Sequence, residues 1–152
     1  MMTTIQFRDW ELIVDKENTQ MIYDKIQVDK GASCACKECQ YFLLNREQIY
    51  PFEIKVLLTN LGINYYKECE VLHYLKDASG MNYYSGWFHF KGRFKQKSLS
   101  ASKDGHILKN GLTSITDSFR IGFLYDDYLT LFDDKDDLVK VEFDTKTLVT
   151  YL

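Results

Sequence analysis

Cys34, Cys36 and Cys39 crowd three of the chain's four cysteines into one short segment, Gly31-Ala-Ser-Cys-Ala-Cys-Lys-Glu-Cys39. Thiolate sulfur with imidazole is the ligand chemistry that Zn²⁺ favours, in sites that take four donors in a tetrahedron. Cys34, Cys36 and Cys39 would supply three of them. Cys69 or His73 would close the set, the two lying four residues apart and so on one side of either a strand or a helix. The paired second knuckle of most structural zinc sites is missing, and other chemistry competes. Cys36-Lys-Glu-Cys39 is a Cys-x-x-Cys, whose first thiol becomes reactive when it caps a helix, although no βαβ unit precedes it as in thioredoxin-like proteins. The bland alternative is that the sulfurs pack as small hydrophobic groups.

A second constellation lies at 86–97. Alternation there sets Phe88, Phe90 and Phe94 on one face and Trp87, His89, Lys91, Arg93, Lys95 and Lys97 on the other. A basic row ending in an indole could hold an anion, a single strand of nucleic acid or an acidic partner. Lysines on a solvated face also guard an edge strand against unwanted pairing. The acidic run Asp126-Asp127 and Asp133-Asp134-Lys135-Asp136-Asp137 lacks the ligand order, central glycine and closing glutamate of an EF-hand, and it suits polar turns instead. For catalysis, His73, His89 and His106 fall on separate segments, and no serine or cysteine has a setting that marks it as activated. Tyr65, Tyr66, Tyr74, Tyr83 and Tyr84 make an aromatic concentration of the kind that protein interfaces use.

The elements that must position these groups are of mixed type. Pro51 at a helix start, Phe52, Val56, Leu57 and Leu61 at helical spacing, and Gly62 as a left-handed cap predict one principal helix at about 51–61. Short strands are expected at Glu11–Val14 and Gln20–Tyr23, with Asp15–Thr19 as a turn between them. Period-two patterning from Lys67 onward predicts a strand with Cys69, Val71, His73 and Leu75 on one face. Further strands follow at 86–94, 119–123, 128–132 and 138–143. The fold class expected is α+β, mainly an antiparallel sheet with the helix packed on it, in a single domain spanning 1–152.

At 152 residues, 45% hydrophobic and 27% charged, the chain can build one core and shows no sign of disorder. A formal charge of -3 gives no overall attraction to phosphate backbones, so nucleic acid is not an expected partner. No apolar run is long enough to span a bilayer and the first residues do not spell a signal peptide, which predicts a cytoplasmic protein without membrane partners. The succession Cys-x-Cys-x-x-Cys, Tyr50-Pro51, Leu61-Gly-Ile63, Gly86-Trp-Phe-His-Phe90 and Val141-Glu-Phe143 resembles a family of small, functionally uncharacterised bacterial proteins. That resemblance implies a single cytosolic domain with no assigned activity. The function expected is a non-enzymatic binding or protein-interaction domain. The alternatives are a small metalloprotein with structural zinc on the cysteine cluster, and a thiol-dependent redox enzyme.

Overall fold

The computed structural model describes residues 2–26, 36–96 and 112–149; Cys34, Lys97 and His106 lie outside them. Strand β1 (Met2–Phe7) pairs antiparallel with β2 (Trp10–Asp15) around a turn in which Arg8 takes a left-handed φ of 54°. Trp10, Leu12 and Val14 alternate inward along β2. Helix α1 (Lys16–Lys25) follows directly, its N-cap Asp15 accepting the Asn18 N–H at 3.1 Å. The strand expected at 20–23 is therefore part of a helix. The polar run taken for a turn is its cap and first turn, and Thr19 and Tyr23, one helical repeat apart, form its buried face.

Two more helices were not anticipated, α2 (Lys37–Leu44) and the short α3 (Arg46–Ile49). The expected one is present as α4 (Phe52–Asn60), with Ile54, Leu57 and Leu58 buried and Gly62 in the left-handed region just beyond it. A side chain on Gly62 would also meet the Lys16 carbonyl at 2.6 Å, which ties the end of α4 to the start of α1.

The remaining strands are β3 (Glu70–Lys76), β4 (Met81–Gln96), β5 (Thr113–Thr116), β6 (Phe119–Tyr125) and β7 (Leu138–Leu148). Every pairing is antiparallel, in the order β1-β2-β4-β7-β6-β5, with β3 also on β4. The fold is α+β as expected, with more helix than the sequence patterning showed. Long β4 gives one edge to β7 and shares the other between β3, along Asn82–Trp87, and β2, along Gly92–Gln96. Between those two partners α1 takes the place of a strand. The Tyr23 hydroxyl accepts the His89 N–H at 3.1 Å and donates to the His89 carbonyl at 2.9 Å, while the Thr19 hydroxyl accepts the Lys91 N–H at 3.0 Å. Buried backbone groups need such partners.

On the helical side of the sheet, Tyr84, Phe88 and Phe90 of β4, Val139, Val141 and Phe143 of β7 and Phe119 and Ile121 of β6 join Phe42, Tyr50, Ile54 and Leu58 in one core cluster. Aromatic residues, 15% of the chain, concentrate here. Phe42 stacks on Phe143 at 5.9 Å between ring centroids, and Tyr50 meets Phe119 edge-on at 5.8 Å. On the other side, residues 126–137 form a strap without strand pairing, so the strand expected at 128–132 is absent. Phe132 is buried against Tyr23, and Tyr128 lies 6.3 Å from the Trp87 ring. No helix among the described residues is long and apolar enough to cross a membrane.

Candidate functional site

The cysteines separate into two places. Cys36 is the N-cap of α2, its Sγ accepting the Cys39 N–H at 3.4 Å, and Cys39 is buried one turn later. The Tyr84 hydroxyl donates to the Glu38 carbonyl in the same turn, and His73 lies 5.3 Å from the Tyr84 ring with its Nε2 2.7 Å from Asn82 Oδ1. Cys69 sits elsewhere, with Sγ 3.4 Å from His89 Nδ1. The four-residue interval between Cys69 and His73 thus does not put them side by side. Cys69 precedes β3 and meets His89 on the strap side of the sheet, whereas His73 is in register with Tyr84 on the helical side. Among the described residues no group of three or more His, Cys, Asp or Glu side chains is arranged to hold a metal ion, and Cys34 lies outside them.

The Cys69–His89 pair has the parts of a nucleophile, a base and an orienting group. His89 Nε2 lies 2.8 Å from the Asp126 carbonyl, which can only accept, so Nε2 carries the proton and the Nδ1 lone pair faces the thiol. Burial pushes the Cys69 thiol up to about 12, the Leu131 backbone N–H pulling the other way, and burial holds His89 down to about 4 against the Asp126 contacts. The pair is therefore a neutral thiol beside a neutral imidazole across the physiological range. Among the described residues, four clefts are lined by neither Cys69 nor His89; one of about 490 Å³ lies between α1 and the turn after α4, against Gln20, Tyr23 and Asn64.

The row of cations expected on β4 is not a solvent-facing row. Trp87, His89 and Lys91 are buried beneath the strap, and of the described residues of the row Arg93 and Lys95 emerge beyond it. Lys91 Nζ donates to the carbonyls of Asp134 and Asp136, and Lys140, opposite His89, lies 4.3 Å over the Trp87 ring and 3.4 Å from Asp126. Lys95 stands opposite Glu11 of β2. The acidic run answers lysines planted in the sheet, which is why alternation alone misassigned that face.

The sheet also exposes a cluster of apolar side chains. Leu72, Tyr74 and Leu75 on β3 are 40%, 53% and 49% exposed. A register shift between His73 and Leu75 moves Leu75 away from Val71 and His73 and onto the side of Leu72, since Leu72 opposes Ser85 and Leu75 opposes Tyr83. Tyr83 pairs with the Tyr74 ring at 6.2 Å, and Leu148, opposite Met81, extends the same face at 55% exposure. Arg120 with Asp144, and Lys146, border it. Strict alternation hid this patch. Nothing in the residue types marks the bulge.

A further feature absent from the sequence reading is the buried ion pair of Arg46 and Glu68, joined at 2.8 Å and shared with the Tyr50 hydroxyl at 2.7 Å. It clamps the α2–α3 corner to the approach to β3. Comparison of the chain with protein-family models, with curated proteins and with solved structures gives no match, so these residues speak through their own chemistry.

Proposed function

We propose that this chain is a non-enzymatic interaction domain whose contact surface is the face formed by Leu72, Tyr74, Leu75, Tyr83 and Leu148. The observation that carries the reading is the bulge in β3, which brings three large apolar side chains together at the rim of the sheet where a regular strand would have turned one of them inward. Clustered apolar exposure with a polar rim is what protein contact surfaces present. The bulge also spoils the backbone ladder on the outer side of β3, so the contact is made by side chains and the partner is a protein with an apolar surface of its own. Neutral Cys69 and His89, away from those four clefts, favour binding over thiol chemistry.

The test places a photo-crosslinking side chain at position 75 and exposes the protein to an extract of its native source. The expected result is a crosslinked polypeptide that disappears when Leu72→Asp and Tyr74→Ala are added, with the far-UV spectrum unchanged. No crosslinked product, or one indifferent to both substitutions, would overturn the reading.

A further inference from the structure

Among the described strands, β1, β3 and β5 have one whole edge that no other strand pairs. Two of them are blunted. β3 is bulged, and its Val71 N–H is taken by the Glu70 carboxylate at 3.1 Å. β5 is four residues long with a register shift between Ser114 and Thr116. β1 has none of these devices. Met2-Thr-Thr-Ile-Gln-Phe7 contains no charge, proline or glycine, keeps unbroken register with β2 over all six residues, and has Met2, Thr3, Thr4 and Gln6 exposed. Folded proteins guard such edges unless something pairs with them.

We infer that β1 is a dimerisation edge, taken by β1 of a second copy running antiparallel about a two-fold axis. Residues opposite one another in a sheet share a face, so the two-fold passes through a residue and not between two. Centred on Ile5, the pairing sets Ile5 against Ile5 and Thr3 against Phe7 of the second copy on the core side, and Thr4 against Gln6 on the other. The first two pairs extend the core that Ile5 and Phe7 already join, and the third matches hydrogen-bonding side chains. No like charges meet, although each chain carries a formal -3. A foreign strand would lack this built-in match, and because β1 is the one regular strand with a whole edge open among the described residues, the assembly closes at two and does not run on into a fibre. The inference stands apart from the β3 surface, which lies on another part of the sheet.

Sedimentation of the full chain over a wide concentration range tests it, using the wild type, Thr3→Lys, Thr4→Lys and, as a control, Leu75→Asp. Both lysine variants place a charge on an exposed position of β1 and duplicate it across the axis. The expected result is a wild-type dimer, lost in Thr3→Lys and Thr4→Lys and retained in Leu75→Asp. Amide hydrogen exchange on the wild type gives a second measure that needs no variant, with protection of Met2–Phe7 rising with concentration. A wild type that stays monomeric throughout, or a dimer that survives both lysines, would sink the inference; loss of partner capture on adding Leu72→Asp, with the dimer intact in Leu75→Asp, separates it from the proposed function.

Discussion

The Cys69 thiol and the His89 imidazole stand within hydrogen-bonding distance yet remain uncharged, because burial penalises the ionised form of each more than the Leu131 N–H and the Asp126 contacts favour it. The sign of the consequence follows from His89. Its folded value of about 4 lies below the ordinary value near 6.5, so an unfolded chain takes up a proton between those limits that the folded chain refuses. Its contribution to stability is thus complete above about pH 6.5 and falls as the pH drops towards 4, by roughly 3 kcal/mol in all. In His89→Gln the urea midpoint should decline less steeply over that window than in the wild type; equal slopes would show that the imidazole takes up its proton over the same range folded and unfolded. Both residues were visible in the sequence as chemistry-bearing types. Their pairing was not, since Cys69 has His73 closer along the chain and only the β3–β4 register brings His89 to it.

At the scale of elements, the gap that α1 fills in the edge of β4 sets the most sensitive position. Tyr23→Phe keeps the ring in the core and deletes the hydroxyl that serves both the N–H and the carbonyl of His89. Leaving those groups buried without partners should cost about 3 kcal/mol, read as a lowered denaturant midpoint, whereas Thr19→Val, which orphans one N–H, should cost about half as much. A Tyr23→Phe variant as stable as wild type would mean that water or a shifted strand replaces the hydroxyl. The register itself is held at Gly92, where φ is +153° and an added Cβ would sit 1.9 Å from the Ile13 carbonyl. Helix α4 was legible because Pro51 and Gly62 mark its ends with local chemistry. Helix α1 was not, because Tyr23 has a β-prone side chain whose role is a contact 66 residues away in sequence.

For the whole molecule, Trp10 and Trp87 report from different settings. Trp10 lies among Phe94 and Phe123 in the core, while Trp87 lies under the strap with Tyr128 and Lys140. Because one core cluster runs through the sheet and α1 ties the strap to it through Tyr23 and Phe132, single-tryptophan variants should give denaturation curves that coincide with each other and with far-UV circular dichroism. An earlier transition at Trp87 would show that the strap opens on its own. The sequence by itself determined the α+β class, most of the strands and the helix between Pro51 and Gly62, because period and end-capping are properties of neighbouring residues. Tertiary structure alone decided which face of β4 is covered, that Lys91 and Lys140 anchor an acidic strap and do not face solvent, that Cys69 meets His89, and that a bulge gathers Leu72, Tyr74 and Leu75. Each of those depends on which distant backbone lies alongside, and alternation along one strand carries no record of its neighbour.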